Sequence, residues 1–215
     1  MNNFLNQIIN HPLPDIQYFK DLYTKRQIVI HHTVSNGNAK NVIDSWQTTK
    51  EKVGVAFVID REGIIHKAFS SAHWAHHLGT KEINNTILNK QSIGIELCSW
   101  GALTEKNGLF FNAFNKEIPE SEVIKYNYLF RRTRYYQKYT DQQLESLKLL
   151  LKYLCETYKI PTKYNPEIWS LSSKALEGEK GIFTHVSFRK DKSDCHPQPE
   201  LIKLLENIAS FNTSQ

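Results

Sequence analysis

The sequence predicts an α/β fold in which a central mixed β-sheet is flanked by helices on both faces. Short runs of β-branched residues, typical of buried strands, alternate with longer segments in which apolar residues recur at helical spacing. The chain of 215 residues is also long enough to bury a substantial core without disulfides or a structural metal. We therefore expect a single domain over residues 1–215, with an insertion at about 101–139.

Four segments account for the predicted strands. "QIVIHH" (27–32) is typical of a buried strand, and "VGVAFVIDREGIIHKAF" (53–69) predicts two strands joined by a turn at Asp60–Gly63. "QSIGIELCSWG" (91–101) predicts a third apolar strand, and "GIFTHVSF" (181–188) predicts a short strand that leads into a loop. Ionisable residues follow several of these runs, which is how α/β domains assemble sites at strand ends.

Three segments predict helices. "NAKNVIDSWQTTK" (38–50) places Val42, Ile43 and Trp46 on one helical face. "TDQQLESLKLLLKYLCETYKI" (140–160) begins with a capping Thr or Asp and carries leucines at helical spacing. "PELIKLLENIASF" (199–211) starts at a proline, which suits the first turn of a helix.

The segment 101–139 breaks this pattern because it mixes turn residues, aromatics and charges. We interpret it as a long loop that lies over the domain and is packed down by its aromatic side chains. A lid over a ligand is the alternative interpretation of the same aromatics.

Composition restricts the compartment and the partners. Lys and Arg exceed Asp and Glu by 27 to 22, and the resulting net charge of +5 favours anionic partners such as nucleic acid, a membrane surface or a bacterial wall polymer. The three cysteines, at irregular spacing, do not predict a disulfide framework. No secretory signal and no membrane-spanning run is evident, so we expect a cytoplasmic monomer, with release by lysis or a non-classical route open.

Histidines are numerous and unevenly placed. Nine occur in the chain, and most lie in three distant segments: "IHHT", "SAHWAHHLG" and "THVSFRKDKSDCHP". A catalytic zinc site needs three protein ligands and one open position. The sequence contains no compact CxxC spacing, the pattern that would indicate a structural zinc finger instead. Strand alternation lets only one of His31 and His32 face such a site easily.

Two further residues suggest chemistry. Glu96 stands in an apolar strand, where a carboxylate is costly to bury unless it pairs with a cation or serves as a general base with a raised pKa. Lys192 follows His185 in the third histidine segment, and its ammonium could stabilise a developing oxyanion.

The ordered set "IHHT", "VIDREG", "SIGIE" and "H…KSDCHP" resembles the zinc-dependent, type 2 N-acetylmuramoyl-L-alanine amidases. That family includes phage lysozyme-type amidases, a muropeptide amidase and the peptidoglycan-recognition proteins. The resemblance covers roughly residues 27–210. It implies the amidase fold, a Zn²⁺ cofactor, and hydrolysis of the amide bond between N-acetylmuramic acid and L-Ala in peptidoglycan or muropeptides.

Carried over by position, the resemblance makes His31 and His185 zinc ligands. The third ligand in the family is Asp or Cys, usually two residues after a functional lysine, so Lys192 points to Asp194. Cys195 is the alternative, because "SDCHPQP" departs from both common endings of this motif. The choice decides between an all-N/O site and a softer one that contains sulfur.

The remaining site residues also follow from the resemblance. Glu96 matches the general base and Lys192 the oxyanion-stabilising lysine. His77 matches a histidine that contacts substrate, although His76 fits that position if the loop shifts by one. Val55 stands where some phage members have a tyrosine, which leaves Glu96 as the base.

Two other functions fit parts of the sequence. A peptidoglycan-binding module without activity would have lost a zinc ligand, whereas His31, His185 and an Asp or Cys candidate are all present. The basic, aromatic-rich "LFRRTRYYQKY" suggests nucleic acid, for which we expect only weak binding without sequence specificity.

Overall fold

The structure, a computed structural model, describes residues 2–35 and 37–210. The strands in this part of the chain are β1 (Ile9–Asn10), β2 (Gln27–His32), β3 (Phe57–Ile59), β4 (Ile65–Lys67), β5 (Ser92–Leu97), β6 (Ala102–Lys106), β7 (Leu109–Phe111), β8 (Glu117–Ile118), β9 (Val123–Phe130), β10 (Thr133–Gln137) and β11 (Gly181–Thr184). The α-helices are α1 (Asn2–Leu5), α2 (Ala39–Ser45), α3 (Asn85–Gln91), α4 (Asp141–Tyr158), α5 (Ser173–Leu176) and α6 (Pro199–Ser210).

The larger sheet has six strands in the order β1-β4-β3-β5-β2-β11. The strand β2 lies next to the edge strand β11 and pairs in parallel with β5 and β11, while β3 also runs parallel to β5. The β3–β4 hairpin is antiparallel, so the sheet is mixed. Helix α4 packs against α6 and β3, α2 contacts β3, and α3 contacts β5. The predicted fold class, a mixed sheet flanked by helices, is confirmed.

Local signals explain where these elements begin and end. The Asp60 carboxylate accepts hydrogen bonds from the backbone N–H groups of Glu62 and Ile64, which closes the predicted turn between β3 and β4. Helix α4 begins at a capping box in which the Thr140 hydroxyl and the Gln143 side chain bond reciprocally to backbone N–H groups. The leucines predicted for its inner face are buried, at positions Leu144, Leu147, Leu151 and Leu154.

Some boundaries differ from the prediction. Helix α2 ends at Ser45, five residues before the predicted end, because residues 46–48 turn away from the helix. Helix α3 and the two-residue strand β1 were missed, since neither carries an extended apolar pattern. Phe211, the last residue of the predicted final helix, lies outside the described residues.

The interpretation of segment 101–139 as a long loop is wrong. Strands β6 to β10 form a second, antiparallel sheet in the order β8-β7-β6-β10-β9, which we call the inserted sheet. Most side chains of β6 and β9 are exposed, so their charges conceal the strand pattern. A small cluster of four buried residues fills one side of the sheet: Leu103, Phe110, Ile118 and Val123.

The inserted sheet is attached to the rest of the chain at the segment that follows β11. Phe130 and Tyr136 pack with Val186 in a separate buried cluster. The Arg131 guanidinium donates hydrogen bonds to the backbone carbonyls of Val186 and Lys190, each at 3.3 Å. The assignment of residues 1–215 to one domain stays a prediction. Of the helices described here, none has the length and apolar character needed to cross a membrane.

Gly101, at the start of the inserted sheet, offers a test of close packing. Its φ is +67°, and a Cβ at this position would lie 2.2 Å from Nε2 of His32, whereas Gly108 has φ +82° and open space around its Cβ position. Replacement by alanine costs roughly 1 kcal/mol for the left-handed backbone at both sites. We expect Gly101→Ala to lower the free energy of unfolding by about 1–3 kcal/mol more than Gly108→Ala, measured by urea denaturation. Equal losses would contradict this packing.

Candidate metal centre

Three side chains from distant parts of the chain meet beyond the carboxyl ends of β2 and β11. The Asp194 carboxylate oxygen Oδ2 lies 3.2 Å from Nδ1 of His31 and 2.8 Å from Nδ1 of His185. One ligand atom from each residue can be chosen so that all lie within 4.8 Å of one another. Two imidazoles and a carboxylate with room for a fourth ligand form the donor set of a catalytic zinc site, so these residues fit the metal.

Sheet geometry explains the convergence. The strands β2 and β11 pair in parallel, so His31 at the end of one lies beside His185, the first residue after the other. The next residue of β2, His32, lies on the opposite face, where Nδ1 forms a 2.9 Å hydrogen bond with the Tyr139 hydroxyl. The adjacent histidines therefore serve different environments, as strand alternation predicts.

The hydrogen bond that Nε2 of His185 forms decides whether Nδ1 of the same ring carries a proton. Nε2 donates a hydrogen bond to the backbone carbonyl of Leu78 at 2.8 Å, and a carbonyl oxygen can only accept. The proton of a neutral His185 therefore resides on Nε2. That leaves the lone pair of Nδ1 pointing toward Asp194, which is the orientation that a metal ligand needs.

His31 is supported by His77. Nε2 of His31 lies 3.0 Å from Nδ1 of His77, and Nε2 of His77 lies 2.8 Å from the Ser92 hydroxyl. A proton on Nε2 of both rings lets His31 donate to His77 and His77 donate to Ser92. In that arrangement the Nδ1 lone pair of His31 faces Asp194.

Asn89 holds the loop that supports both histidines. Its side-chain oxygen accepts hydrogen bonds from the backbone N–H groups of His77 at 2.8 Å and Leu78 at 3.1 Å. Asn89 is fully buried, so its side-chain amide bonds to the loop from the interior of the domain. Neither Asn89 nor Ser92 was a predicted site residue, because a lone Asn or Ser carries no motif in the sequence.

The ionisation states suit metal binding. Burial alone would raise the pKa of Asp194, but attraction to His185 and His31 outweighs it and holds this pKa well below its usual range. Burial, together with repulsion from His185, lowers the pKa of His31 to about 4. An ionised carboxylate and a neutral imidazole are the forms that bind zinc.

Cys195 faces away from this centre. Its buried thiol contacts the Tyr139 hydroxyl, and the following His196 stacks on the Tyr139 ring with centroids 4.5 Å apart. Among the described residues, the candidate metal group contains Asp194 and not Cys195. His76 lies apart as well, with its ring edge against Phe19 and Trp74.

Glu96 lies next to His31. The strands β2 and β5 pair these two residues directly in register, so both side chains leave the same face of the sheet. The Oε2 atom of Glu96 is shielded from solvent and has no hydrogen-bond partner among the described residues. Burial, with repulsion from Asp194, raises the pKa of Glu96 well above its usual range, and the Lys192 ammonium opposes this shift.

A cavity of about 310 Å³ opens beside Glu96, between the β2–α2 connection and helix α2. Thr33, Ser35 and Trp46 line it together with Glu96. A carboxylate oxygen at the edge of a cavity can accept a proton from a bound molecule when, as here, no described residue forms a hydrogen bond with it.

Comparison with known proteins identifies the family. The sequence profile of the family described as N-acetylmuramoyl-L-alanine amidase matches residues 22–199. The chain belongs to this family. The resemblance given by the ordered motifs is thereby confirmed, and the protein is an enzyme of the amidase class. None of the curated protein sequences compared with the chain matches it.

Solved structures of amidases and endolysins share its fold. The structure of PlyL matches 93% of this chain and 96% of its own, with a TM-score of 0.56 at 13% identity. The PlyG catalytic domain matches 97% of this chain and 98% of its own, with a TM-score of 0.56 at 15% identity. The endolysin N-acetylmuramoyl-L-alanine amidase LysCS from Clostridium intestinale URNW matches 97% and 96%, with a TM-score of 0.52 at 17% identity.

The orientation of Asp194 and Cys195 leads to a test of the third ligand. We expect Asp194→Ala to lose bound zinc, because the two histidines alone make a weak site, and Cys195→Ala to keep stoichiometric zinc. Asp191→Ala is the matched control, since the Asp191 carboxylate is exposed and pairs with Arg189. Zinc is measured by atomic emission on dialysed protein. Loss of metal in the Cys195 variant alone would transfer the ligand role to the thiol.

His77 is tested against its neighbour. If its ring orients His31, His77→Ala should weaken zinc binding about 10- to 100-fold, the usual loss when an outer-shell partner of a ligand is removed. His76→Ala should leave zinc affinity unchanged. Competition with a chromogenic chelator measures both. An increase in KM with unchanged zinc affinity would favour a substrate contact for His77 instead.

Proposed function

We propose that this amidase is zinc-dependent and hydrolyses the amide bond between the lactyl group of N-acetylmuramic acid and L-Ala, in peptidoglycan or soluble muropeptides. The observation that carries the proposal is the meeting of His31, His185 and Asp194 beside an unpaired, buried Glu96 oxygen. Family membership supports the reaction class, and the donor set supports the metal.

A zinc ion held by these three residues would polarise the scissile carbonyl and acidify a water molecule. The residues of the chain then divide the proton chemistry. The Glu96 carboxylate, raised in basicity by burial, accepts the proton of the attacking water and delivers it to the leaving amine of L-Ala. The Lys192 ammonium, whose charge reaches Glu96 and His31, stabilises the negative charge that develops on the carbonyl oxygen.

The direct test uses a defined muropeptide. Incubation with the protein should release a peptide with a new free L-Ala amine, identified by mass spectrometry. A chelator should abolish release, and added zinc should restore it. Muropeptide binding without any release would contradict the proposal and favour a recognition module.

Glu96→Gln should keep stoichiometric zinc and lower kcat about 10²- to 10⁴-fold, the usual contribution of a general base. Glu62→Gln, an exposed turn residue, is the matched control and should retain full activity. Undiminished turnover in the Glu96 variant would remove this residue as the base.

The pH dependence follows from the same carboxylate. A base must be ionised, and the pKa of Glu96 lies well above the usual glutamate value because of burial. We therefore expect kcat/KM to fall as the pH decreases through this raised pKa, at pH values where the enzyme still holds zinc. Zinc content is measured at each pH as the control. A kcat/KM that does not fall toward acidic pH while zinc is retained would contradict this role for Glu96.

A further inference from the structure

A second cavity, of about 490 Å³, lies between the inserted sheet and the segment that follows β11. Arg131 and Arg132, which form the turn between β9 and β10, line one side of it. Lys190 and Ser193 line the other side. The Arg131 guanidinium donates a hydrogen bond to the backbone carbonyl of Lys190 at 3.3 Å, so the two sides are in direct contact although they are distant in the sequence.

This cavity lies away from the candidate metal centre. The ring of Tyr136, which also lines the cavity, stacks on His196 with centroids 4.7 Å apart. The centroid of the His196 ring is in turn 6.1 Å from that of His32, which lies on the face of β2 opposite to His31. A ligand in this cavity would therefore occupy a site of its own.

The cationic groups in the cavity have no partners within the described part of the chain. The side chains of Arg132 and Lys190 are exposed, and neither forms a hydrogen bond or ion pair with any described residue. Asp191 is the acidic residue in the lining, and both of its carboxylate oxygens accept hydrogen bonds from Arg189, at 3.0 and 2.6 Å. Because that carboxylate is already paired, the two free cations can attract an anion from outside the protein.

The turn that carries the two arginines is held in place. Arg131 has a φ of +59°, in the left-handed region that glycine or asparagine usually occupies in a two-residue hairpin turn. An arginine there costs free energy relative to glycine, and such backbone outliers concentrate at functional sites. The Arg131 guanidinium also donates to the backbone carbonyl of Val186, which fixes the turn and with it the position of Arg132 at the cavity.

The aromatic residues of "LFRRTRYYQKY" are not available to stack on the bases of a nucleic acid. The four rings of this pattern are buried or packed against other rings: Phe130, Tyr135, Tyr136 and Tyr139. Proteins that bind single-stranded nucleic acid combine cations with aromatic rings on which the bases stack. Only the cations are free here, so the structure favours an anionic ligand without bases.

We propose that this cavity binds a phosphate group of a phosphodiester-linked polyol, the chemistry of anionic bacterial wall polymers. The proposal does not depend on the proposed function. Cations on opposite sides of the cavity suit a tetrahedral phosphate, whose oxygens point in several directions, better than a flat carboxylate. The cavity volume also leaves room for the polyol on either side of the phosphate.

The test measures binding of a fluorescent glycerol phosphate oligomer by anisotropy at low ionic strength. We expect binding that weakens steeply as salt is added. The double variant Arg132→Gln/Lys190→Gln should raise Kd about tenfold, the effect of losing charge-assisted contacts. The control variant Arg134→Gln/Lys203→Gln removes the same charge at exposed positions outside the cavity and should bind like the unaltered protein.

The other outcomes would overturn the proposal. No binding of the oligomer by the unaltered protein would do so directly. Equal losses in the two double variants would indicate attraction to the overall positive charge in place of a site. Oligothymidylate or oligoglutamate of the same charge, bound as tightly and also lost in the Arg132→Gln/Lys190→Gln variant, would assign the cavity to nucleic acid or to carboxylates. Because no muropeptide is present, none of these results depends on amide hydrolysis.

Discussion

The buried carboxylate of Asp194, in contact with two histidine rings, is the interaction on which the arrangement of the site depends. A carboxylate cannot be buried unless other groups replace the water that it loses. A cation shared with His31 and His185 would supply that replacement, and each ring is in turn fixed through its second nitrogen, by His77 and by the Leu78 carbonyl. Removing any of these partners leaves a polar group buried without compensation.

The parallel pairing of β2 with a strand on each side makes this possible. With β5 on one side and β11 on the other, all running in parallel, three strand ends open at the same edge of the sheet. Glu96, on β5, and His185, directly after β11, therefore lie close to His31. The loop that follows β11 brings Asp194 to the same place. The opposite face of β2 carries His32, which contacts Tyr139 at the entrance of α4 and so connects the inner strand to the helical layer.

The inserted sheet also contacts the loop after β11 that carries Asp194. Its contacts with Val186, Lys190 and His196 lie on both sides of Asp194 along the chain. The Tyr126 hydroxyl bonds Nδ1 of His196 at 2.8 Å, and the Gln137 carbonyl accepts from Nε2 of that ring at 3.1 Å. The loop that carries Asp194, the proposed third ligand, is therefore held by a sheet that the sequence pattern did not reveal.

The sequence by itself determined the elements that carry a continuous apolar run or an apolar helical periodicity. The apolar strands, the capped leucine-rich helix α4 and the ordered histidine, glutamate and lysine motifs were all readable, because local periodicity and residue chemistry specify them. The resemblance to the amidase family then indicated His31 and Asp194, the latter from its spacing to Lys192. Only the tertiary structure decided which groups orient these residues. Asn89, Ser92 and the Leu78 carbonyl act through packing across distant segments, and the inserted sheet buries too few side chains to leave a periodic signal.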